Sequence, residues 1–338
     1  MSAVRSTWLR IVLIAAGVAA LVWFIREVDW PETGRLLARL GPWAPLVFVP
    51  YLVVYLVDTA GWRLCFPDPH GVRFLRFFRI RWAGEAVNNV IPSGAIGGEA
   101  VKVLLLRRHG LPGEEGTAAA VVSKTAQTLA QLAYLVASAV IWLNLGDAPA
   151  PFRWAMLGVL AGVTLALALA FWVQRRGVMA TAAGLVGWMG RFGERLRARL
   201  VGLRRLDDRI GGFYRRHPAR FRAAVAVYLA GWLLDTIELF AIAWLLDLPL
   251  TWFQALAIES CTSVVKVAAV AVPGALGVQE SGIVLLCRLA GAPPQLAFAY
   301  AIIRRAREAL FALIGWKFLL TERVRLRDLR AGRTAPAE

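Results

Sequence analysis

Asn88-Asn89-Val90-Ile91-Pro92-Ser93-Gly94-Ala95-Ile96-Gly97-Gly98-Glu99 interrupts a membrane-grade apolar sequence with amides, a proline, glycines and a carboxylate. The same punctuation returns later in the chain. Adding 181 to each number places Pro92 on Pro273, Glu99 on Glu280, Leu104 and Leu105 on Leu285 and Leu286, and Arg107 on Arg288. The register continues with Gly110 on Gly291, Pro112 on Pro293 and Lys124 on Arg305. A shared proline, a glutamate seven residues later and then a matching Gly-x-Pro mark an internal repeat. Two broken apolar segments in corresponding positions of two halves point to a transport site.

Composition agrees with a bilayer setting. Apolar residues make up 59% of the chain, charged residues 18%, and mean hydropathy is +0.59. A soluble domain cannot cover that much apolar surface, so the chain reads as a polytopic membrane protein. Spans and short loops use nearly all of the 338 residues, which leaves no room for a soluble catalytic domain of ordinary size. The first apolar run, Trp8 to Phe24, lacks a small-x-small cleavage site and reads as a retained helix. The net charge of +17 is concentrated: residues 175–222 hold thirteen Arg against Glu194, Asp207 and Asp208, and five more Arg follow Thr321. Such an excess beside spans marks cytoplasmic loops and attracts anionic lipid headgroups; its position argues against nucleic-acid binding. Cys65, Cys261 and Cys287 read as small core residues, with no disulfide framework or zinc spacing.

The expected fold is an all-α polytopic membrane protein of six full spans plus two re-entrant helical hairpins. The full spans are Trp8–Phe24, Trp43–Trp62, Thr117–Leu143, Phe152–Val173, Phe221–Leu246 and Leu296–Leu320, each near the ~20 residues that cross ~30 Å of hydrocarbon. Arg73 to Trp82, with arginines among aromatics, reads as an interfacial amphipathic helix. It leads into the first hairpin: Ala83–Ile91, a break at Pro92–Gly98, then Glu99–Leu106. Thr251–Val272, a break at Pro273–Gly277 and Gln279–Leu289 form the second. All of this makes one membrane domain, 1–338, with repeat A over 43–144, a basic amphipathic segment over 175–220 and repeat B over 221–320. Placing 175–220 inside puts both termini, 63–81 and 107–115 in the cytoplasm, and 26–42, 145–151 and 247–293 outside. The hairpins then enter from opposite faces, an inverted-topology repeat.

Ionisable residues inside a membrane are costly and mark pathways. The first hairpin holds Glu85, Asn88, Asn89, Glu99 and Lys102; the second holds Glu259, Lys266, Gln279 and Glu280. Lys124, Gln127 and Gln131 share one helix face, and the last span carries Arg304, Arg305, Arg307 and Glu308. The breaks should leave backbone N–H groups free around Gly97–Glu99 and Gly277–Gln279, where half-helix N-termini attract anions. Lys124 and Arg305 could supply charge for a phosphate, with Glu99 and Glu280 neutralising them or taking up a proton. The expected substrate-binding set is Asn88, Asn89, Gly97, Gly98, Glu99, Lys124, Gln127, Gly277, Gln279, Glu280, Arg304, Arg305 and Glu308. Asp58, Asp235 and Glu238 read as structural residues near helix ends or bonding neighbouring helices. His70, His109 and His217 sit in loops and build neither a Ser-His-Asp set nor a metal cluster; the glycine-rich break follows no strand and is no dinucleotide motif. No cofactor and no enzymatic activity are expected.

Gly84-Glu85-Ala86-Val87-Asn88-Asn89-Val90-Ile91-Pro92, Gly97-Gly98-Glu99 before a basic Leu-rich run, and Pro273-Gly274-Ala275-Leu276-Gly277-Val278-Gln279-Glu280 resemble the lysylphosphatidylglycerol synthase transmembrane-region family, also called flippase-like membrane proteins. The pattern covers roughly 8–320. The Trp82–Glu99 portion resembles the hopanoid-biosynthesis-associated branch. The resemblance implies movement of phospholipids or other lipids across the bacterial inner membrane. Members that make aminoacylated lipid carry a further soluble synthase domain; it is absent from this sequence, and synthase activity is not expected here. The leading expectation is therefore a lipid translocase with membrane lipids as partners and anionic headgroups at the cytoplasmic face. The alternatives are an intramembrane lipid-modifying transferase using Glu99 or Glu280 as base, or a membrane component of a hopanoid or glycolipid pathway.

Overall fold

A computed structural model describes residues 15, 17–90, 96–144, 150–176, 193–268, 272 and 275–322. Among them there are helices and no strand, as backbone that must satisfy its own polar groups in hydrocarbon requires. Outside them lie Ile91 at the end of the first expected arm, 92–95 and 273–274 of the two expected breaks, 269–271 of the second hairpin's first arm, the start of the first span, residues 145–149, residues 177–192 and the Arg-rich tail beyond 322.

Helix α1 covers 17–27. A short α2 (Trp30–Arg39) follows where the sequence reading has only a loop. Asp29 caps it, accepting from the Glu32 N–H at 3.0 Å, and Pro31 stands in its first turn, a combination that favours helix starts. The expected span Trp43–Trp62 begins as a 3-10 segment (Gly41–Phe48) and continues as α3 (Val49–Leu64). Pro45 explains the tight start, because it donates no N–H and crowds the carbonyl one turn back.

The first hairpin is α4 (Phe74–Val90) and α5 (Ile96–Arg108). The interfacial Arg-aromatic stretch and the first arm thus form one helix. The break is narrower than Pro92–Gly98, since Ile96, Gly97 and Gly98 already belong to α5. Then come α6 (Gly113–Asn144), α7 (Ala150–Arg176), the basic α8 (Gly193–Arg216) and α9 (Pro218–Leu245). The second hairpin is α10 (Trp252–Ala268) and α11 (Val278–Leu289), and α12 (Pro294–Thr321) closes the order.

The 181-residue offset is visible in backbone bonds. Gly110 N–H donates to Arg107 O and Leu111 N–H to Leu106 O; Gly291 N–H donates to Arg288 O and Ala292 N–H to Cys287 O. Each glycine has positive φ, 88° and 69°. Both hairpins therefore end in the same left-handed helix cap, at positions that only glycine adopts cheaply.

Three described helices are long and apolar enough to cross a membrane by themselves: Gly41–Leu64, Gly113–Asn144 and Pro218–Leu245. α12 matches α9 at 28 residues, but Arg304, Arg305, Arg307 and Glu308 interrupt its apolar surface. One core gathers α3–α6 with Ile210 and Phe213 of α8 and Tyr228 of α9; a second gathers α1, α2 and α9–α12. α8 also pairs Arg205 and Arg209 with Glu114 and Glu115 of α6. These arginines are 40–71% exposed. Such pairs contribute about 0–1 kcal/mol each, so the buried Ile210 and Phe213, at about 1.5–3 kcal/mol each, hold the helix down.

Candidate functional site

The arms of the first hairpin meet at glycines. A Cβ on Gly98 would lie 2.3 Å from Gly84 O and 2.4 Å from Asn88 Oδ1. Without it, the Gly98 N–H donates to Asn88 Oδ1 at 2.8 Å. One of the donors expected to await an anion is thus taken by Asn88; Asn89, beside it, is half-buried. Four residues along α5 from Gly98, Lys102 reaches Glu85 Oε1 at 2.8 Å and Glu99 Oε1 at 2.9 Å. Glu99 also faces Lys124 of α6 at 3.5 Å, and Lys124 donates to Gln127 Oε1 at 3.2 Å. The two lysines differ in access: the Lys102 side chain is 5% exposed, that of Lys124 47%. Glu99 is therefore neutralised twice, once by a buried cation and once by an accessible one.

The second hairpin turns at Gly277 (φ 78°), directly before α11. A Cβ there would meet Gly17 O of α1 at 2.0 Å, so α1 seals this turn. In the next turn Glu280 pairs with Arg305 Nε. Arg305 also donates to Glu308 Oε2 at 2.6 Å and to Ala275 O at 3.2 Å. Glu308 Oε1 receives Gln279 Nε2 at 3.3 Å and lies 3.5 Å from Lys266. Arg304 is bound to Glu259, whose other oxygen accepts from Tyr300 OH at 2.7 Å. Gln279 Oε1 and Glu280 Oε2 are buried and accept no hydrogen bond from the described residues, an arrangement uncommon for buried polar atoms.

The expected binding residues thus gather into two clusters, and the repeat relates them. The pair Glu99–Lys124 becomes Glu280–Arg305, and Lys124–Gln127 becomes Arg305–Glu308, because 127 plus 181 is 308. The halves differ in charge placement. Glu85 falls on Lys266, so the first arm supplies an anion in one hairpin and a cation in the other. Lys102, Glu85, Lys266 and Glu259 belong to the site, although the expected binding set leaves them out. For Glu85 and Lys266 the signal was the offset itself, because matching identical letters hides a position that repeats with opposite charge; Lys102 and Glu259 fall on Ile283 and Phe78 and give no such signal. Other ionisable residues pair in neighbouring layers. Arg81 meets Asp58 at 2.6 Å. Arg307 meets Glu238 and lies 3.5 Å over the Tyr51 ring. Gln131 leaves the Lys124 face and donates to Ser263 of α10 at 3.1 Å.

A family model described as the lysylphosphatidylglycerol synthase TM region matches residues 7–315. No curated protein and no solved structure matches the chain.

Proposed function

The chain belongs to the lysylphosphatidylglycerol synthase transmembrane-region family, and we propose that it is a lipid translocase, flippase- or scramblase-like, for an anionic-headgroup phospholipid or related lipid of the bacterial inner membrane. The observation that carries this reading is the matched pair Glu99–Lys124 and Glu280–Arg305, one at each hairpin. A carrier that presents its substrate to two faces in turn is commonly built from inverted repeats that supply equivalent residues to the pathway; a reaction at one bond needs no such symmetry. The first site can release its cation at low cost. If a phosphate takes Lys124, Glu99 keeps Lys102, so no buried carboxylate is stranded. The charge-assisted contact so gained is specific to an anionic headgroup. Gln279 Oε1 and Glu280 Oε2 offer acceptors to headgroup hydroxyls at the other site.

The test is purified protein in liposomes carrying fluorescent phosphatidylglycerol or fluorescent diacylglycerol, scored for exchange between leaflets. The proposal expects phosphatidylglycerol to exchange faster than in protein-free vesicles. Exchange no faster than in protein-free vesicles overturns it; acceleration of the neutral lipid alone overturns the anionic assignment.

A further inference from the structure

Apart from Glu114 and Glu115 at the start of α6, which pair with α8, eight carboxylates lie in the described parts of the hairpins and the spans that flank them: Asp58, Glu85, Glu99, Asp235, Glu238, Glu259, Glu280 and Glu308. Seven form ion pairs. Asp58 has Arg81, Glu85 and Glu99 have Lys102 and Lys124, Glu238 has Arg307, Glu259 has Arg304, Glu280 has Arg305, and Glu308 has Lys266. Asp235, in the middle of α9, has neither an ion pair nor a hydrogen bond among the described residues. We infer that Asp235 is the proton site that couples lipid movement to a proton gradient. The inference rests on the translocase reading and adds its energy source.

The titratable and charged groups that the helices packed on α9 bring toward Asp235 are Asp58 on α3, Tyr134 on α6, Glu259 on α10, and Tyr300, Arg304 and Arg307 on α12. Both arginines are already held, by Glu259 and Glu238. Asp58 presses on α9 one turn earlier, since a Cβ on Gly231 would lie 2.9 Å from its Oδ1. The 41–48 segment brings no ionisable residue. α8 meets α9 at Phe221, fourteen residues or about 21 Å along the helix. A charged, unpaired carboxylate among other carboxylates in hydrocarbon is strongly disfavoured. Glu238, 1% exposed, stands three residues further along α9, and its Oε1 has no donor among the described residues.

Loss of the Asp235 proton has a mechanical consequence. Asp235 then carries one negative charge, the proton leaves to the opposite face, and the new carboxylate competes for Arg304 and Arg307. Both sit on α12, where Arg305 and Glu308 belong to the second lipid site. Re-pairing therefore shifts the helix that holds the headgroup residues. One proton per cycle passes through one carboxyl group.

The experiment reads leaflet distribution at steady state in proteoliposomes containing fluorescent phosphatidylglycerol, with a one-unit pH gradient and valinomycin to clamp the potential. At one proton per lipid, the gradient drives an about tenfold leaflet asymmetry. Wild type and Asp235→Glu should show it, and Asp235→Asn should equilibrate evenly. Even distribution by wild type while exchange continues overturns the coupling and spares the translocase; no exchange at all overturns both. A sodium gradient that drives the asymmetry without a pH gradient also overturns it. Infrared spectra in nanodiscs give a readout independent of transport. A protonated-carboxyl band present in wild type and lost in Asp235→Asn is expected, and an identical band in both overturns the assignment.

Discussion

Glu99 holds two ammonium groups, whereas Glu280 holds one guanidinium, and this difference separates two otherwise equivalent cations. Lys124→Ala should slow exchange of an anionic lipid by roughly ten- to hundredfold, from a charge-assisted contact of about 1.5–3 kcal/mol. A neutral lipid measured in the same vesicles should be unaffected; equal losses for both would show that Lys124 shapes the protein rather than the headgroup site. Stability should respond in the opposite order. Arg305→Ala leaves the 4%-exposed Glu280 without its cation, a change that costs about 3–5 kcal/mol. Lys124→Ala leaves Glu99 with Lys102 and should shift thermal unfolding in detergent far less. Equal shifts would mean that Lys102 does not compensate.

At the scale of elements, the first hairpin depends on one close contact. Gly98→Ala drives a methyl into Gly84 O and Asn88, an overpacking that costs about 1–3 kcal/mol. Gly34→Ala is the control: nothing lies within 4 Å of the added Cβ, and the helix should gain roughly 0.5–1 kcal/mol. Thermal melts of the two variants should move in opposite directions; a neutral Gly98→Ala would refute the tight hairpin. The membrane class, the order of helices and the existence of two interrupted segments were legible, because apolar length, proline and glycine act locally. The Asn88–Gly98 bond was not, because it depends on how close two arms pack, which spacing does not encode. α2 was legible in principle, through Asp29, Pro31 and the one-sided burial of Thr33 and Leu36, but a short helix of mostly polar composition between two apolar runs reads as a loop. In the site, Glu99, Lys124, Glu280 and Arg305 stood out by repetition. Lys102 and Lys266 did not, since Lys102 repeats as Ile283 and Lys266 as Glu85.

Across the whole molecule the two halves pack unequally. α4 closes on α12 through aromatic rings: Trp82 stacks on Phe311 at 4.9 Å and donates its Nε1 hydrogen to Phe311 O at 2.7 Å, with Tyr55, Phe78 and Phe318 around it. The equivalent contact, α10 on α6, is more polar: Ser260 meets Ser138, Gln131 donates to Ser263, and a single aromatic, Trp142, donates its Nε1 hydrogen to Ala257 O at 3.2 Å. The two contacts break the repeat symmetry, as one state of the proposed alternating carrier requires. That account stands on the hairpins entering from opposite faces. The most direct measurement is labelling of single cysteines by a membrane-impermeant maleimide in intact spheroplasts and in inverted vesicles. Cys65, Cys261 and Cys287 are buried, which keeps the background low. Pro112 and Pro294, both exposed, follow the two hairpins at equivalent turns. The account predicts that Pro112→Cys labels only in inverted vesicles and Pro294→Cys only in spheroplasts. Labelling of both from the same side would contradict it.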